Sequence, residues 1–91
     1  MKKYTINDKE YELVENYKDG FDYNAVLEKV TDYFDDFDYI VGDWSYGKLR
    51  LKGFYDTYNN KTKDYNDYGK CAEYIKNECA YDCRWFSLKK L

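Results

Sequence analysis

At 91 residues the chain is long enough for one domain and too short for two hydrophobic cores. Aromatic residues make up 22% of it, 13 of them Tyr, so large rings must supply the burial that a short chain lacks. Net charge is −3 but unevenly laid out: residues 1–45 carry 5 Lys/Arg against 12 Asp/Glu, and residues 46–91 carry 10 against 6. The acidic total therefore hides a basic second half, which weakens a nucleic-acid reading without excluding one.

Three Cys are too few and too unevenly spaced for a secreted disulfide framework. Met1-Lys2-Lys3-Tyr4 runs into polar residues, and no stretch approaches the roughly 20 apolar residues of a membrane helix. These features predict a reduced, soluble, cytoplasmic protein without membrane association. The chain contains no Pro, no low-complexity block and no internal repeat of useful length.

In chain order, Tyr4-Thr5-Ile6, Asn7-Asp8 and Lys9 to Val14 read as a β-hairpin, because Asn and Asp tolerate the positive φ of a tight turn and the flanks alternate. Tyr23, Val26, Leu27, Val30 and Phe34 share a helical face, so a helix is predicted over 23–34, capped by Asp22 or Asn24. Asp35, Asp36 and Asp38 would oppose its dipole, so it ends there. Tyr39 to Trp44 reads as a buried strand, Ser45-Tyr46-Gly47 as a turn, and Lys48 to Tyr55 as the returning strand. The Tyr- and Asn-rich stretch 55–68 reads as the main loop. A second helix over 67–79 places Tyr68, Cys71, Ala72, Ile75 and Cys79 on one stripe, and a strand over 83–88 closes the domain. The order β-β-α-β-β-α-β predicts a single α+β domain over 1–91, with a mainly antiparallel sheet of about five strands and two helices on one face.

The segment Asp38-Tyr39-Ile40-Val41-Gly42-Asp43-Trp44, a turn through Gly47, and Leu49-Arg50-Leu51-Lys52-Gly53-Phe54 resemble the signature of the YutD-like family of small cytoplasmic proteins from low-GC Gram-positive bacteria. Glu78-Cys79-Ala80-Tyr81-Asp82-Cys83-Arg84-Trp85-Phe86 is similar to that family's second block, where Cys-x-x-x-Cys precedes an aromatic strand. Ser45 and Asp82 stand where the family pattern has glycines, both at turns. The resemblance implies the fold; the family brings no established activity with it.

Catalytic chemistry finds little footing. Without histidine there is no Ser-His or Cys-His nucleophile, no imidazole metal ligand and no imidazole base. Gly42, Gly47 and Gly53 surround a hairpin and do not precede a helix, so no phosphate-cradling loop is present. Asp35, Asp36, Asp38 and Asp43 lack the spacing of a cation loop and read as a solvated helix end. Cys71, Cys79 and Cys83 lack a fourth ligand for structural zinc and read chiefly as core, with a Cys79–Cys83 redox switch a minor alternative. No enzyme, cofactor or metal is expected.

The most suggestive pattern is the strand face Tyr46, Lys48, Arg50, Lys52 and Phe54. Cations neutralise phosphates, and rings stack on unpaired bases at ~1–3 kcal/mol per base. Arg84 and Phe86 would extend this patch if the last strand lay beside it. The plainer reading is the polar outer face of a one-sided sheet whose cations blunt an edge and pair with carboxylates. The expected function is thus a non-catalytic binding or regulatory module for single-stranded RNA or another polyanion. The alternative is an adaptor that uses charge polarity and surface aromatics to hold a protein partner.

Overall fold

The computed structural model describes residues 2–78 and 83–91. Strands β1 (Lys3–Ile6) and β2 (Lys9–Tyr17) form the first hairpin. Its turn residues Asn7 and Asp8 take φ of 51° and 65°, the left-handed pair that matches strand twist in a two-residue turn. Strands β3 (Tyr39–Ser45) and β4 (Lys48–Phe54) form the second, turning through Tyr46 and Gly47 at φ of 54° and 78°. Strand β5 (Trp85–Lys90) inserts between the hairpins, giving the order β1-β2-β5-β3-β4, antiparallel at every pairing. The predicted sequence of elements, antiparallel sheet and α+β class are all present.

Helix α1 (Tyr23–Lys29) starts where predicted, with the Asp22 carboxylate accepting from the Ala25 N–H at 3.2 Å. It ends sooner: Val30 is extended, and a 3₁₀ turn, Asp32–Asp36, follows. The β-branched pair Val30-Thr31 is a weak helix continuation, and the break brings Phe34 into the core. Helix α2 (Cys71–Glu78) is preceded by a 3₁₀ turn, Tyr68–Lys70.

The helices do not share a face of the sheet. Val26 of α1 packs with Ile6, Tyr11, Ile40, Phe86 and Leu88, whereas Cys71 of α2 packs with Val41 and Phe54. Ile40 and Val41 are strand neighbours, so their side chains leave on opposite sides, and the expectation of both helices on one face is corrected. The central strands are covered on both sides, which is why Tyr39-Ile40-Val41 and Trp85-Phe86 are apolar without alternation. On the α1 side the fit is close: a Cβ on Gly42 would lie 2.2 Å from the Phe86 ring, and one on Gly53 would lie 2.3 Å from Phe37.

Candidate functional site

The register Ser45↔Lys48, Asp43↔Arg50, Val41↔Lys52 and Tyr39↔Phe54 places Lys48, Arg50, Lys52 and Phe54 on one face of β4, as the alternation predicts. This is the α2 face, and most of the row is occupied within the protein. Arg50 donates through Nε to Asp43 Oδ1 at 2.8 Å and through a terminal nitrogen to Oδ2 at 3.1 Å. Asp43 is buried at 1% exposure, so this paired geometry compensates a carboxylate removed from water. Phe54 is sealed beneath α2 and meets Tyr74 edge-on at 5.5 Å. The Lys52 ammonium lies 5.3 Å from the Phe54 ring centre and 5.5 Å from that of Tyr74. Lys48 and Tyr46 are exposed beside the hairpin turn, Tyr46 at 94%.

Arg84 does not join this row. Strand β3 separates β5 from β4, and the Arg84 guanidinium sits over the Trp44 ring at 4.6 Å on the α1 side. Trp44 is itself anchored by its indole N–H, which donates to the Gly20 carbonyl at 2.7 Å. Phe86 is fully buried in the α1-side core. The six-residue site of Tyr46, Lys48, Arg50, Lys52, Phe54 and Arg84 is therefore split between two faces, with one member buried.

Within the acidic run, Asp36 and Asp38 fasten the loop after β4, while Asp36 remains 57% exposed, as the solvated-end reading expects. Asp36 accepts from the Tyr55 hydroxyl and from the Lys61 ammonium, each at 2.7 Å. Asp38 accepts from the Asp56 N–H at 2.8 Å and from the Asn59 amide at 3.0 Å. The Lys61 and Tyr55 hydrogen bonds hold the Asp36 carboxyl below the usual carboxylate range. In return, the hydrogen bond to Asp36 pushes the Tyr55 phenol up to about 12. Cys71 is a free, buried thiol whose pKa burial raises to about 11, with Glu15 adding to the effect. Such a thiol is a poor nucleophile at neutral pH. Cys83 is disulfide-bonded, which corrects the expectation of reduced cysteines at that position; Cys79 lies outside the described residues.

What the sequence did not mark is the surroundings of the β4 edge. Among the described residues, strand β4 has one strand neighbour, β3. A groove of about 340 Å³ runs beside its second half, lined by Tyr33, Phe37, Leu51, Gly53, Tyr55 and Tyr65 among others. A second, of about 440 Å³, lies on the α2 side between Lys52, Phe54, Tyr65 and Tyr74. A third, also about 440 Å³, lies by the first half of the strand between Trp44, Lys48, Leu49 and α1. Tyr33 and Tyr65 are 69% and 71% exposed, large rings standing at the groove rims. The high tyrosine content hinted at such a surface, but only the tertiary fold collects Tyr33 and Tyr65 at one strand.

The profile of a family described as "Putative antitoxin YutD-like" matches residues 5–89. The chain belongs to the YutD-like family. A curated relative, "Putative antitoxin YutD" of Bacillus subtilis (strain 168), is 44% identical over 86 residues, covering 94% of each chain. The solution NMR structure of protein yutD from B. subtilis superposes with a TM-score of 0.83 at 42% identity, covering all of this chain and 83% of that one. These matches agree with the resemblance carried by the β3–β4 hairpin. Among the described residues no helix is long and apolar enough to cross a membrane.

Proposed function

We propose that this YutD-like chain is a non-catalytic binding module that works by engaging a protein partner, in the manner suggested by the antitoxin description of its relative. The observation that carries this reading is the β4 edge, whose outer side has no strand partner among the described residues and is flanked by grooves and by exposed Tyr33 and Tyr65. Tyrosine anchors and strand edges are recurrent means of holding a protein segment. Binding of RNA or another polyanion through Tyr46, Lys48, Arg50, Lys52 and Phe54 is the competing reading. It retains exposed Tyr46 and Lys48, but it needs rings open to bases, and Phe54 is covered while Arg50 is committed to Asp43.

The two readings separate in one experiment. The full chain, immobilised, is challenged with lysate of its own cells before and after nuclease digestion. A protein partner retained after digestion, whose expression alone arrests growth and whose effect co-expression of this chain relieves, supports the antitoxin reading. Capture that disappears with the nucleic acid overturns it in favour of the polyanion.

A further inference from the structure

The backbone of β4 shows which of its groups face outward. The Trp44 N–H donates to the Arg84 carbonyl, so Trp44, Gly42 and Ile40 present their backbone groups to β5. The intervening Asp43 and Val41 therefore present theirs to β4, where their partners are Arg50 and Lys52. Alternation then directs the N–H and C=O groups of Leu49 and Leu51 away from β3. Two steps on in this phase, past Gly53, Tyr55 confirms it: its N–H donates to the Asn66 carbonyl at 2.7 Å, and its carbonyl accepts from the Tyr68 N–H at 2.9 Å. The chain itself thus adds a single parallel bridge, Tyr55 to Asp67, just past the end of this edge, and among the described residues no strand pairs with the outer side of 48–53.

The side chains along that stretch are sorted by face. Lys48, Arg50 and Lys52 lie toward α2, while Leu49 and Leu51, both half-buried, lie toward α1 beside the grooves with Trp44 and with Tyr33 and Phe37. A second copy of this chain pairing edge to edge would set cations of one β4 against those of the other, which is how proteins discourage self-association. The same row favours a strand of opposite charge. We propose that the outer edge of β4 accepts an extended segment of a partner protein as a sixth strand, about six residues long, in which Asp or Glu alternates with apolar residues. Its carboxylates lie beside Lys48 and Lys52, its apolar side chains lie against Leu49 and Leu51, and its backbone pairs with the outward groups of Leu49 and Leu51.

This proposal deepens the protein-binding reading and rests on it, but it can fail separately. The test is an NMR titration of the ¹⁵N-labelled full chain with a capped peptide alternating Glu with Val and Phe, beside a counterpart carrying Lys in place of Glu. The acidic peptide is expected to shift the amides of 48–53 and slow hydrogen exchange at Leu49 and Leu51. Affinity should fall about tenfold or more in the Lys48→Glu/Lys52→Glu variant. Leu49→Pro, which deletes an outward N–H without a partner among the described residues, should also abolish binding while shifts elsewhere in the sheet persist. No shift at millimolar acidic peptide overturns the proposal, as do equal affinity for the Lys peptide and shifts confined away from β4. Single-stranded RNA producing the same perturbation also overturns it and transfers the surface to a polyanion. A captured protein partner that binds Lys48→Glu/Lys52→Glu as well as the parent removes the edge assignment and leaves the protein-binding reading intact.

Discussion

On the α1 side of the sheet Ile6, Tyr11, Ile40, Phe86 and Leu88 make a continuous apolar layer, with Phe21, Tyr23 and Phe37 packed around it. On the α2 side, among the described residues, Val41, Phe54 and Cys71 form the buried apolar cluster, and Asp43, Ser45 and Ser87 are buried among the same strands. The first side holds by area and fit; the second relies on polar pairs, Arg50 on Asp43 and the Tyr68 hydroxyl on Ser87 Oγ at 3.0 Å, while the buried Ser45 Oγ has no hydrogen-bond partner among the described residues. Apolar packing tolerates no lost volume, whereas a polar seam tolerates no lost partner. The second arrangement also leaves cations along the β4 edge, so the proposed binding edge sits where the core is thinnest.

Substitutions can break this contrast in a graded order. The largest effect is expected on the α1 side: Phe86→Ala empties the space against Gly42 and should cost about 3–5 kcal/mol in chemical denaturation. On the α2 side, Arg50→Ala should cost about 2–3 kcal/mol, because it strands a buried carboxylate; the figure is kept low because Arg50 is 42% exposed. Replacing both partners, as Asp43→Val with Arg50→Leu, should cost less than Arg50→Ala alone. A double replacement that costs as much as the sum of the single ones would show that the pair does not act as a unit.

Smaller effects come from the loop after β4. The depressed Asp36 carboxyl contributes stability that is present above its ordinary pKa of 3.8 and is lost as pH falls through its lower folded value. The raised Tyr55 phenol contributes stability present below pH 10 and lost as pH rises through about 12. Amide shifts of residues 56–62 should therefore move at both extremes, and Tyr55→Phe should remove the alkaline step. The smallest signal is chemical: with its pKa near 11, Cys71 should resist a thiol-specific reagent at pH 8 until the chain is unfolded. Rapid labelling of the native protein at Cys71 would contradict its burial.

Much of the fold is legible in the sequence because its determinants are local. Asn7-Asp8 and Tyr46-Gly47 mark both hairpin turns, and β4 alternates as read. Strand order is not local, so nothing near Trp85 announces that β5 inserts between β2 and β3. One signal was available for the helix placement: Tyr39-Ile40-Val41 and Trp85-Phe86 do not alternate, which implies cover on both faces. The candidate site was less legible still. Lys48, Arg50 and Lys52 share a face as the alternation says, yet the Asp43 partner of Arg50 and the helix over Phe54 arise only from the tertiary fold. Arg84 shows the same limit, since its assignment depended on a strand neighbour that is in fact β3.

The most direct test of β4 as the working edge is residue-resolved amide hydrogen exchange, with and without a captured protein partner. In the free protein the amides of Arg50 and Lys52, directed at β3, should exchange slowly, and those of Leu49 and Leu51 should exchange fast. With the partner bound, Leu49 and Leu51 should become protected. Protection that appears elsewhere while these two amides remain fast would contradict the account.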